Sequence, residues 1–273
     1  MVGGWRMVVA SVVGVVMFGV LWEVLVRLAD VPEFILLAPS KIVGELAENP
    51  RMYFDAALVT GRHALLGLAL ALAISLVAGA VLASSRFVEQ ASQPILVLIL
   101  VAPWVAYFTS IVTWLGRGDP PVLFLVTLVA VPAFTFAAVS GLRSSDPAAR
   151  ELLASVNASR LEVLWRLRLP SALPVLLATS RYVIGLTLAA AYYGEGGNLT
   201  SIAEGGLGTL GRSAASLNRG RPLWATVFAT VLLGVVGLGL VALVERVVLR
   251  WHVSQRRSPL DGGPARTNRR WVL

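Results

Sequence analysis

The sequence predicts an all-α, polytopic membrane protein of six transmembrane helices with a cytoplasmic helix-turn-helix between the fourth and the fifth. Three observations carry that prediction. Apolar residues make up 57% of the chain and charged residues 14%, against about 25% charged in soluble domains. The mean hydropathy is +0.78. Six apolar runs, roughly 7–28, 58–84, 91–115, 121–142, 172–193 and 222–248, match the ~20 residues that a helix needs to cross a hydrocarbon core.

The first run follows Arg6 in the manner of a signal peptide, but it is long and has no small-residue cleavage site, so it reads as a retained anchor. The second and fourth runs carry small residues at every fourth position, Ser75, Gly79 and Ala83 in one and Ala133, Ala137 and Gly141 in the other. Such rows let helix backbones approach closely in lipid, although small residues are common in membrane helices generally. Arg6, Arg86, Arg143, Arg150, Arg160, Arg166, Arg168 and the arginines from Arg246 to Arg270 fall on one side of these spans. The other side holds Lys41, Arg51, Arg117, Arg212, Arg219 and Arg221. That bias places both termini in the cytoplasm.

Between the fourth and fifth runs lies a polar island, Asp146 to Pro174. Asp146 before Pro147 starts a helix, because a carboxylate accepts free backbone donors and proline at the first position loses no hydrogen bond. The helix runs to about Val156 and stops at Asn157, a residue that tolerates the left-handed conformation. Ser159 and Glu162 have capping-box spacing and begin a second helix, which Pro170 ends. Leu152, Leu153 and Val156 give the first helix an apolar face that suits a protein partner. The alternative is an amphipathic hairpin lying on the inner leaflet through Arg160, Arg166 and Arg168. The stretch 253–273 mixes Pro, Gly and basic residues without apolar periodicity and reads as a disordered cytoplasmic tail, leaving 1–252 as the membrane domain.

The composition also excludes functions. There is no cysteine, so thiol catalysis and thiolate metal sites are absent, and His63 and His252 lack ligand-like spacing, so no metal is expected. The net charge of +8 is spread between apolar runs, which suits membrane lipid rather than nucleic acid. No phosphate-loop sequence occurs, and the one lysine, Lys41, follows Pro39-Ser40. No nucleophile-and-base constellation marks an intramembrane enzyme. A secondary carrier or channel driven by an ion gradient is the alternative transport reading. It calls for acidic or histidine relays and internal symmetry, neither of which is clear here.

The island resembles the EAA loop of binding-protein-dependent ABC importer permeases: Glu151 stands at the glutamate, Leu152 and Leu153 at the two alanines, Asn157 at the glycine and Leu169-Pro170 at the terminal pair. The chain is most similar to the nitrate, sulfonate and taurine branch, which includes permeases for thiamine precursors and riboflavin. Leu21-Trp22-Glu23, Ala38-Pro39-Ser40, Trp114-Leu115-Gly116, Arg181 with Gly185, Glu195 with Gly206-Leu207-Gly208, and Glu245-Arg246 carry that resemblance. It implies the type I permease fold in a bacterial inner membrane. It implies a second permease copy or a paralogue, ABC ATPase subunits that bind ATP and Mg, and an extracytoplasmic solute-binding protein. This chain then needs no cofactor of its own and catalyses nothing. ATPase coupling falls to the loop at about 143–171, through Glu151, Leu152, Leu153, Val156, Asn157, Ala158 and Pro170. Candidates for the translocation path are polar and aromatic residues that lipid would not select: Trp104, Tyr107, Arg181, Tyr192, Tyr193 and Glu195. Each also has a structural reading, as an interface aromatic or an ion-paired span residue. The cargo expected is a small anion or a heteroaromatic vitamin precursor.

Overall fold

The computed structural model describes residues 4–198 and 205–249, all of whose regular elements are helical. The expected tail at 253–273 lies outside the described residues. In chain order the helices are α1 (Gly4–Leu28), α2 (Pro39–Glu48), α3 (Pro50–Ser84), α4 (Arg86–Val101), α5 (Trp104–Leu115), α6 (Asp119–Arg143), α7 (Pro147–Ser155), α8 (Arg160–Val163), α9 (Leu169–Gly197), α10 (Leu207–Ser216) and α11 (Gly220–Val248). A π-helical turn, Leu164–Arg168, joins α8 to α9. Among the described residues five helices are long and apolar enough to span a membrane, and there are six if α4 and α5 are counted as one broken span.

α6 lies between α3 and α9 and forms the centre of the bundle: 61% of its apolar window is buried, against 6% for α1, which faces outward almost all round. The small-residue rows are packing seams. A Cβ on Gly79 would lie 2.5 Å from Ala138 Cβ, and one on Gly141 would lie 2.8 Å from the Ala172 Cα, so α3–α6 and α6–α9 pack at backbone distance. Ser75 donates from Oγ to the Val131 carbonyl across the first seam at 3.0 Å. Phe134, Leu142 and Leu176 fill the core between the three helices. In lipid this close packing, rather than escape from water, holds helices together.

Two expectations need correction. The run 91–115 is not one straight span: α4 and α5 meet at 93°. Ala102 precedes Pro103 and is driven to an extended ψ of 131°, and Pro103 adopts an inverse γ-turn with the Trp104 amide donating to the Ala102 carbonyl at 2.8 Å. Nor does Pro170 end the second island helix. The chain stays helical from Arg160 to Gly197 because the preceding turn widens to π geometry, with the Leu169 amide donating to the Leu164 carbonyl. Ser171 Oγ donates to the Leu167 carbonyl at 2.8 Å, and Pro170 sits in the first turn of α9, where it is tolerated.

Candidate functional site

At one end of the bundle the island folds from its own local chemistry. Asp146 Oδ1 accepts the Ala148 amide at 3.0 Å and starts α7. The helix ends in a Schellman motif: Asn157 has φ of +53°, its amide donates to the Ala154 carbonyl and the Ala158 amide donates to the Leu153 carbonyl, both at 3.0 Å. Ser159 and Glu162 make the full capping box, with the Ser159 amide donating to Glu162 Oε2 at 2.8 Å. α7 buries no residue against the rest of the chain. Leu152, Val156, Leu161 and Trp165 are all more than 60% exposed, with Glu151 and Asn157 exposed among them and Leu153, Ala158 and Pro170 half-buried. Among the described residues the α7 surface formed by Leu152 and Val156 is left uncovered, and, held by two caps and a tight turn, it is built for contact with something else.

The opposite end carries a buried polar ring that the sequence did not reveal. The N-cap of α10, Gly206, has no side chain to satisfy the first free amides. They are filled from other helices: the Leu207 amide donates to Thr60 Oγ1 at 2.9 Å and the Gly208 amide to Glu195 Oε2 at 3.0 Å. Thr60 donates in turn to Glu195 Oε2 at 2.8 Å, and the Nδ1–H of His63 donates to Glu195 Oε1 at 2.8 Å. Nδ1 carries the proton of this bond because a carboxylate only accepts. His63 Nε2 lies 3.2 Å from Asp119 Oδ1 at an angle that makes no hydrogen bond, and Asp119 pairs with Arg62 at 2.5 Å. Thr60, His63 and Glu195 are each 3% exposed or less. The ring ties α3, α6, α9 and α10 together. His63 is set aside by motif spacing because its partners stand 56 and 132 residues along the chain; the available signal was a Thr60-Arg62-His63 polar cluster inside an apolar run.

α2 is fastened by the same device. Its N-cap, Ala38, offers no side-chain acceptor. Glu23 of α1 accepts the Ser40 amide at 2.9 Å and the Ser40 hydroxyl at 2.7 Å, while pairing with Arg27. Nearby, Glu33 lies 2.7 Å from both Lys41 and Arg221, joining the α1–α2 loop to α11. The hydrogen bonds from Arg221 and then Lys41 pull its carboxyl down to about 2.

The remaining path candidates occupy separate places. Arg181 pairs with Glu245 at 2.6 Å, near the island end of α9 and α11. Tyr192 shares a hydrogen bond of 3.0 Å with Thr226, whereas Tyr193 donates to the Val105 carbonyl and packs edge-on against Trp104 and Phe108. Tyr107 and Trp104 pack on the core formed by Phe108, Ile111 and Leu125. The structure thus groups Trp104 and Tyr193, places Tyr192 and Glu195 around α10, and leaves Arg181 apart.

Comparison with known proteins places this architecture. The chain is 31% identical over 238 residues to the riboflavin transport system permease protein RibX of Chloroflexus aurantiacus, covering 86% of this chain and 87% of that one. It is 26% identical to the formylaminopyrimidine transport permease protein ThiX of Halalkalibacterium halodurans, covering 88% and 94%. It is 26% identical to the taurine transport system permease protein TauC of Escherichia coli, covering 90% and 91%. Among solved structures, the inward-facing MetNI methionine ABC transporter shares the fold, with a TM-score of 0.57 at 16% identity over 71% of this chain and 96% of that one. The model of the family described as binding-protein-dependent transport system inner membrane component matches residues 71–250, and the chain belongs to that family, the transmembrane permease subunits of ABC importers.

Proposed function

We propose that the exposed island at 143–171 is the contact through which an ABC ATPase drives this permease, and that the island end of the bundle, with both termini, is cytoplasmic in a bacterial inner membrane. The observation that carries this is α7, a helix with no fully buried residue among those described, capped at both ends and presenting Leu152 and Val156. Glu151, Leu152, Leu153, Val156, Asn157, Ala158 and Pro170 form or frame the contact. The partner ATPases bind ATP and Mg and perform hydrolysis. A second permease, either a copy of this chain or a paralogue, completes the path, and an extracytoplasmic binding protein delivers solute at the end that holds α2 and α10.

The names of RibX, ThiX and TauC support a small solute, heteroaromatic or sulfonate in chemistry. Trp104 and Tyr193, with ring centroids 5.4 Å apart, and the adjacent Tyr107 are the residues we assign to the path wall. Tyr192, Glu195 and Arg181 border the path through their partners on α11 and α10.

The test is co-elution of the detergent-solubilised chain with its genomically adjacent ATPase, comparing wild type with Glu151→Lys. A reversed charge in a desolvated contact costs several kcal/mol, of order 2–5, so the variant should elute alone while remaining monodisperse. Co-elution that survives the change would remove the loop from the interface.

A further inference from the structure

His63 is enclosed at the end that holds α2 and α10, with one ring nitrogen satisfied and one not. Its side chain is 4% exposed and that of Glu195 is 2% exposed. Nδ1 donates to Glu195 Oε1 at 2.8 Å, whereas Nε2, buried and without a hydrogen-bond partner, lies 3.2 Å from Asp119 Oδ1. Among the described residues the charged groups that face the imidazole are Glu195 from α9 and Asp119 from α6, and Asp119 is paired with Arg62 of α3 itself. α10 presents backbone amides to the same cluster.

An imidazole whose one proton sits on Nδ1 turns a lone pair towards the Asp119 carboxylate, and two acceptors at 3.2 Å repel. A proton is needed between them. Asp119 is already ion-paired with Arg62 through Oδ2, which leaves Nε2 to carry it. The charges agree: two carboxylates and one guanidinium leave one negative charge over, and a proton on Nε2 balances it where an uncompensated charge is costly. The site is also held in position. Asn198, buried at the C-cap of α9, accepts the Gly118 amide at 3.3 Å and donates to the Gly118 carbonyl, which pins the start of α6 and keeps Asp119 beside His63. The side chains of Arg62 and Asp119 are 55% and 53% exposed, so a proton reaches Nε2 past Asp119 without crossing the apolar core.

We propose that Nε2 of His63, facing Asp119, is a proton-binding site that locks α10 in place. With the proton bound, a small turn of the exposed Asp119 side chain lets the imidazolium bridge Glu195 and Asp119. Its charge strengthens the hold on Glu195, the carboxylate that accepts the Gly208 amide and caps α10. α10 walls a cavity of about 180 Å³ together with Tyr192 and Tyr193, so the proton fixes one wall of that end of the bundle. Exposure of this end to the external medium rests on the topology proposed for the permease. The proton site does not, and its test needs neither ATPase nor solute, so either reading can fail alone.

Nitrogen-15 NMR of the histidine-labelled, detergent-solubilised chain tests it. The chain has two histidines, so His252→Gln leaves His63 as the single imidazole signal. At pH 7 both ring nitrogens should carry a proton, and the one on Nε2 should leave as pH rises. Asp119→Asn should lose it at a pH lower by about 1 or more. Arg62→Gln breaks the same ion pair but spares the Asp119 carboxylate, so it should keep the proton. A charge-assisted hydrogen bond is about twice as strong as a neutral one, so hydrogen exchange of the Leu207 and Gly208 amides, read at a single pH, should be about fivefold faster in Asp119→Asn and unchanged in Arg62→Gln. One protonated ring nitrogen in the wild-type ring at pH 7, a proton unmoved by Asp119→Asn, or a proton lost in Arg62→Gln would each overturn the site. Exchange in Asp119→Asn equal to that of wild type, or equally fast in Arg62→Gln, would overturn the lock.

Discussion

His63 and Glu195, 132 residues apart in the sequence, meet at 2.8 Å inside the bundle, and the same carboxylate caps α10 through Gly208. One side chain thereby serves a histidine on α3 and a helix start on α10. Glu195→Ala should leave the His63 Nδ1–H and the Gly208 amide without their acceptor, while the Thr60 hydroxyl still has the Ala56 carbonyl at 3.2 Å. A buried group so orphaned costs about 1–3 kcal/mol, and the stranded groups are coupled. The expected loss of thermal stability in detergent is therefore that of at least one such group, with Glu195→Gln losing less because its amide oxygen still accepts. A Glu195→Ala protein as stable as wild type would mean that the ring contributes nothing to folding.

Gly208 tests how closely α10 sits on α9. A Cβ there would lie 1.8 Å from the Tyr192 carbonyl oxygen, a backbone atom that cannot swing aside, so Gly208→Ala must displace the helix. Overpacking of this kind costs about 1–3 kcal/mol. Gly185→Ala is the control, since a Cβ at Gly185 meets nothing within 4 Å. The two variants should separate clearly in melting temperature, and equal melting would refute the close contact.

What could be read from the sequence was local. Asp146-Pro147, Asn157 and Ser159-x-x-Glu162 act on amides within a few residues, and all three behave as their chemistry dictates. The spans followed from apolar length, which does not register a bend such as that at Ala102-Pro103, nor a turn that widens to absorb Pro170. The remote caps were hidden for another reason. Glu23 with Ser40 and Glu195 with Gly208 are each capping interactions whose acceptor lies on a different helix, so no window along the chain contains donor and acceptor at capping distance. Both nevertheless join segments whose resemblance to one permease branch was visible: Leu21-Trp22-Glu23 touches Ala38-Pro39-Ser40, and Glu195 touches Gly206-Leu207-Gly208.

Glu33 gives the end that carries α2 and α10 a dependence on acid. Its carboxyl titrates at about 2 in the folded protein, depressed by Arg221 and Lys41, and near 4.3 when unfolded. A depressed carboxyl stabilises the fold fully above the unfolded value and loses that contribution as pH falls towards 2. Because Glu33 is 39% exposed, solvent screens the pairs, and each is worth no more than about 1 kcal/mol. Melting temperatures of wild type and Glu33→Gln should differ at pH 7 and converge as pH falls below 4.3. A gap that is constant with pH would show that the difference arises elsewhere.

Asn157 separates the shape of the island from its surface. At φ of +53° a β-branched residue is strained, while glycine is at ease. Asn157→Val should cost about 1–2 kcal/mol in the bound geometry, which is about 5-fold to 30-fold in affinity for the ATPase. Asn157→Gly should bind as wild type. Because no residue of α7 is fully buried against the described bundle, neither change should move the melting temperature of the permease alone. Titration of each variant with the ATPase, alongside melting of the isolated chain, checks both statements. A valine variant that melts early would mean that the island is packed against its own chain, and one that binds normally would mean that the left-handed turn is not needed at the contact.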